Sequence, residues 1–127
     1  MLHISESQLA GLEAMVRDRL VRRATTTARV RLAAAGVTRS EEQLRPIAFE
    51  MQAFAEARDL RSEASLHVLM ALRLSSWWRD PLPPVAAMFL ARDGFAEEVR
   101  VEQFRQALMQ PPVTLIDLDD PIPAAPR

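Results

Sequence analysis

Few residues in this chain have a wide chemical range. His3 and His67 are the two histidines, and there is no cysteine. A transition-metal site needs several His, Cys or carboxylate ligands at set spacings. No HExxH or similar pattern surrounds either histidine. Carboxylates stand in pairs at Glu41-Glu42 and Glu97-Glu98. Adjacent helical positions point about 100° apart, so such pairs do not converge on one substrate. At the start of a helix they favour the macrodipole instead. No Gly-x-Ser-x-Gly elbow presents a serine, and three glycines build no phosphate-cradling loop. The chemistry on offer is recognition. We expect no enzyme, no cofactor and no metal.

Three segments carry recognition chemistry. The first is residues 76–90, SWWRDPLPPVAAMFL, which sets Trp77, Trp78 and Arg79 before three prolines. Trp and Arg are enriched at binding hot spots, and proline fixes how they are presented. Trp is also usually well buried, so core closure and interface are equally good readings of the pair. One ring can pack inward while the other faces a partner. The second is residues 19–40, with six Arg and no acid. On a helix Arg19, Arg22, Arg23 and Arg29 fall within an arc of about 120°. Such a face suits phosphates or an acidic protein surface, or simply solvent. The third is the tail, where Val113, Leu115, Ile116 and Leu118 alternate with Asp117, Asp119 and Asp120. It reads as a disordered terminus, as a strand added to a partner's sheet edge, or as a segment folded back on the Arg-rich helix.

Helices must position these residues. Ser5 and Gln8 form a capping box, with Ile4 and Leu9 placed as a hydrophobic staple. Leu9, Val16, Leu20 and Ala24 give one apolar face, and Gly36 suits the C-cap. Thr25, Thr26 and Thr27 weaken the middle, where a kink or break is expected. Ser40 and Gln43 repeat the capping box. Pro46 fits best as the first residue of a new helix after a short turn, and Ile47, Met51 and Phe54 follow on one face. Ser62 caps a third helix whose Leu66, Leu69, Met70, Leu72 and Leu74 make it the central one. Pro84 opens a short fourth helix, and Asp93-Gly94 is a turn. A fifth helix carries Phe95, Val99, Phe104 and Leu108, and Pro111-Pro112 stop it. Leu9, Val16, Leu20, Ile47, Met51, Phe54, Leu66, Leu69, Met70, Phe89 and Phe104 are the expected core. The fold class is all-α: a single-domain bundle of about five helices over residues 1–110, with an irregular, Pro-rich, acidic tail over 111–127.

Composition agrees with a small globular domain. The chain has 127 residues, 49% hydrophobic and 26% charged. All 16 basic residues are Arg, and the net charge is −1. Residues 1–40 carry seven Arg against three acids, while residues 41–127 carry nine Arg against fourteen acids. That asymmetry between halves can signal a charged partner. The opening MLHISESQ lacks the basic and apolar regions of a signal peptide, and no apolar run nears the roughly 20 residues of a membrane span. The expected compartment is the cytoplasm.

The order of these elements resembles small all-helical accessory proteins encoded beside type VI secretion effector genes. Those open with a pattern like MIRI-S/T-x-x-Q-L, and this chain opens MLHISESQL. An Arg-rich first helix, a second helix and a capped third helix follow, the last matched here by RDLRSEASLHVLMAL at residues 58–72. Their acidic connection, D-P-x-L-P-W-A, corresponds to Asp80-Pro81-Leu82-Pro83-Pro84-Val85-Ala86. Their Gly-Pro-x-Phe is replaced by Ser75-Ser76-Trp77-Trp78, and their Trp by Val85. The likeness spans roughly residues 1–108. It implies a protein-binding accessory, a chaperone or adaptor for a secreted effector. The partner contacts expected are Trp77, Trp78, Arg79, Leu115, Ile116, Asp117 and Leu118. Alternatives are an immunity protein that neutralises a toxin, and a small DNA-binding regulator using the Arg-rich face. Self-association through an exposed Trp pair is a further option.

Overall fold

A computed structural model describes residues 5–110 of the chain. Five helices follow one another: α1 Glu6–Ala34, α2 Glu41–Ala57, α3 Glu63–Arg73, α4 Pro84–Leu90 and α5 Glu97–Leu108. The described residues contain no strand. The tail lies outside them, and so does Ile4 of the expected staple.

Local chemistry sets most boundaries. Both capping boxes form: Ser5 and Ser40 accept from the N–H of Gln8 and Gln43, whose side chains accept in return from the cap N–H. Ser62 accepts from Ser65 N–H, and Pro84 stands at the first position of α4. Gly36, at φ 84°, takes the left-handed position that ends α1, and Val37 N–H donates to Leu32 C=O across it. Asp59 plays the same part after α2 at φ 55°, with Leu60 N–H donating to Ala55 C=O.

Two expected breaks are absent. α1 runs through the three threonines without interruption. Thr25 is buried and turns its hydroxyl back to Val21 C=O at 2.7 Å, while Thr26 donates to Glu41 across the helix pair. Each hydroxyl thus gains a partner without leaving helical geometry. Pro46 begins no new helix; it sits inside α2. At that depth its ring leaves only the Glu42 carbonyl without its intrahelical donor, on an exposed face that water can reach.

The core forms where the helices converge. Val21, Ala24 and Ala28 of α1 meet Leu44, Ala48, Met51 and Ala55 of α2, with Leu66, Leu69 and Met70 of α3 beneath. The small residues let α1 and α2 approach closely. Leu20, Ile47 and Phe54 are partly buried against this cluster, and Phe89 is also only partly buried. Leu9 and Val16, expected inside, are about half exposed. α2 has 17 residues and α3 has 11, against 29 in α1. The shorter helices cannot cover a helix about 44 Å long. On α5 the buried face is Val101, Phe104 and Leu108, while Val99 and, just before the helix, Phe95 are exposed.

α4 and α5 form a hairpin that polar contacts fasten to the turn between α2 and α3. Arg100 donates to three carbonyls: Arg58 at 3.1 Å, Leu90 at 2.9 Å and Asp59 at 3.3 Å. Glu97 accepts from Ser62 N–H at 2.8 Å. Burial alone would raise the Glu97 carboxyl. Hydrogen bonds from Ser62, Ser65 and Arg61 outweigh it and hold the group below its ordinary value of 4.5. A depressed native pKa contributes stability that is complete above the unfolded value and is lost as pH falls through the native one. Glu97→Gln should therefore lower the urea midpoint at pH 7. The gap to the unmodified chain should close as pH falls below about 4.5.

Candidate protein-binding surface

The structure divides the tryptophan pair. Trp78 packs against the core cluster, 5.5 Å from the Phe54 ring and 6.0 Å from Phe104, edge-on to both. Such edge-to-face geometry adds to the burial of the rings. Arg58 closes the outer side, its guanidinium 3.5 Å above Phe54. Burial lowers the Arg58 pKa from its ordinary range. Trp77 is at the surface, 36% exposed. Arg79 points to neither ring but donates to the Leu108 carbonyl at 3.2 Å, fixing the end of α5.

The basic face of α1 is partly spent within the bundle. Arg23 pairs with Glu63 at 3.2 Å and Arg29 with Glu41 at 3.6 Å. Arg19 and Arg22 make no ion pair among the described residues. Two of the four arginines of this face thus meet carboxylates of α2 and α3. The carboxylates read from the sequence as helix starters are also in use, Glu41 by Arg29 and Thr26 and Glu97 by Ser62. His67 Nε2 lies 3.6 Å from Glu63 Oε1. Among the described residues, no three His, Cys, Asp or Glu gather to hold a metal ion.

Leu115, Ile116, Asp117 and Leu118 lie outside the described residues.

A different surface stands out, at the free end of α1. Every residue from 5 to 16 is exposed, a stretch about 18 Å long. Leu9, Leu12, Met15 and Val16 are 50%, 49%, 61% and 56% exposed. At 100° per residue, Leu9, Leu12, Val16 and Leu20 form one stripe. It is turned roughly a third of a turn from the face of Val21, Ala24 and Ala28. The stripe runs into a groove of about 580 Å³ between α1 and the end of α2, floored by Leu12, Val16, Leu20 and Leu60. Gln52, Glu56 and Arg61 supply its polar rim. Arg17 crosses that rim to Glu56 at 2.7 Å, and its hydrogen bond, with a second from Gln52, holds the Glu56 carboxyl below its ordinary value.

Comparison with family models, curated proteins and solved structures yields no match. The surface must therefore be read from its own geometry. An apolar stripe at i, i+3 and i+7 beside a groove is the arrangement that receives an amphipathic helix. The α4–α5 hairpin also exposes apolar residues, but Arg92 lies over Phe95 there, 4.7 Å from the ring centroid. Sequence reasoning placed Leu9 and Val16 inside and passed over Leu12 and Met15. The usable signal was the length of α1 against its neighbours. No helix of the described residues is long and apolar enough to cross a membrane.

Substitution separates the two tryptophans. Trp78→Ala should cost about 3 kcal/mol of unfolding free energy. Trp77→Ala should cost less than about 1 kcal/mol. Urea denaturation of the two variants checks both values.

Proposed function

We propose that this protein is a non-enzymatic, cytoplasmic accessory protein, a chaperone or adaptor that binds a type VI secretion effector through the free half of α1. The observation that carries the reading is the uncovered stripe of Leu9, Leu12 and Val16, continuous with the α1–α2 groove. Contiguous exposed apolar surface on a small domain marks a place for a partner. The groove's open side and the stripe's spacing suit a partner helix with apolar anchors at i, i+3 or i+4, and i+7. Trp77 offers a separate exposed aromatic surface. The resemblance in the order of elements supplies the class of partner. The stripe and groove supply the means of holding it.

The DNA-binding alternative draws less support, because Arg23 and Arg29 are engaged by acids of the same chain. The immunity alternative uses the same kind of surface and is separated by outcome.

The test is capture of the effector by the full chain and by a Leu12→Glu, Val16→Glu double variant. Binding should weaken by about 30-fold, near 2 kcal/mol. Unfolding free energy should move by less than about 1 kcal/mol, since both side chains are about half exposed and lie outside the core cluster. A variant that binds the effector undiminished would overturn the assignment of the surface. Expression of this protein alone protecting a cell from the effector would favour the immunity role over the chaperone role.

A further inference from the structure

A second groove lies on another side of α1, against α3. Ala28 and Leu32 of α1 and Met70, Ala71 and Leu74 of α3 line it, with a volume of about 250 Å³. That is below the range of roughly 300–1,000 Å³ typical of small-molecule sites, and fits one or two aliphatic side chains. Arg31 stands at its rim and makes no ion pair among the described residues. His67 Nε2 is buried beside it, 3.6 Å from Glu63 Oε1 and with no closer hydrogen-bond partner among those residues.

We propose that residues 113–120 of this same chain dock in the α1–α3 groove. Three observations name this occupant. The first is where the chain leaves the bundle. Arg79 holds the Leu108 carbonyl beside the segment that follows α3, and the groove opens at that end of α3, where Leu74 and Ser75 line it. α5 packs on α3 but is not in contact with α1, so the chain need only pass around α3. The path around a helix about 10–12 Å wide is half its circumference, about 16–19 Å, and residues 111–116 extended span about 20 Å. The second is pattern. In an extended segment Ile116 and Leu118 share one face, and Leu115, Asp117 and Asp119 the other. Ile116 and Leu118 meet the apolar floor, while Asp117 and Asp119 reach the rim. The third is charge. The tail carries Asp117, Asp119 and Asp120, and the rim offers Arg31. A backbone laid along the groove also brings a hydrogen-bonding group to His67 Nε2. This groove is separate from the free half of α1, so the inference stands apart from the proposed function.

The chain has no cysteine, so two introduced thiols report on this contact without background. In the full-length Ala71→Cys, Ile116→Cys variant, mild oxidation should close an intramolecular disulfide, read as a gel-mobility and mass change. Closure should be at least about ten-fold faster than in the same variant carrying Leu118→Asp, because docking raises the effective concentration beyond that of a free tether. Arg31→Glu should slow it as well, and added salt should slow it by screening the rim charge. Equal rates with and without Leu118→Asp would mean random encounter of a tethered tail and would overturn the proposal. A disulfide that forms between chains at low protein concentration would place a second copy in the groove and overturn it equally.

Discussion

One guanidinium joins two helix ends through three carbonyls. Arg100 meets the carbonyls of Arg58 and Asp59, where α2 stops, and of Leu90, where α4 stops. Terminal carbonyls of helices lack intrahelical donors and carry the negative end of the dipole. A single cation with five donors satisfies several of them at once. Glu97 does the converse at the other polarity, accepting the free N–H of Ser62 where α3 begins. Two side chains one turn apart on α5 thus fix the α2–α3 turn from both sides. That turn carries Leu60, which is buried and lines the groove beside Leu12 and Val16. The placement of the candidate surface therefore depends on a contact made far from it in sequence.

The charge asymmetry of the chain has a structural use. Three of the six arginines of α1 face acids contributed by α2 and α3, through Arg17–Glu56, Arg23–Glu63 and Arg29–Glu41. All are substantially exposed, so each contributes little stability by itself. Spread along α1, they set its register against two other helices, since a shift by one turn would break them together. The positive charge of the first forty residues is thus in part a match for the acids that follow.

Features governed by neighbours in sequence were legible in it. Ser40 with Gln43, Ser62, Pro84 and Gly36 mark their helix ends because capping and left-handed turns involve residues two to five apart. Met51, Leu66, Leu69 and Phe104 were legible as core, since their spacing agrees with the side that packs. Leu9 and Val16 misled because the same spacing describes a buried face and a free one. Only the lengths of α2 and α3 decide between them. Trp77 and Trp78 could not be separated before the path of the loop after α3 was fixed. Arg100 carried no local mark at all, being one of sixteen arginines whose partners lie ten and more than forty residues away.

The unequal lengths of the helices have a consequence for how α1 melts. Its stretch from Val21 to Ala28 is held by the core, and amides so held should open with the whole domain. Its first half has the Ser5–Gln8 box and its own ladder of hydrogen bonds, and an isolated helix of a dozen residues is marginal in water. α1 is therefore continuous in geometry but graded in stability, with a boundary near Leu20. A ligand that seats on the free half meets a segment that fluctuates through local opening, and some of its binding energy goes into holding that segment helical. Its arrival would register first as slowed amide hydrogen exchange over residues 9–16, with the exchange of the core half of the same helix little changed.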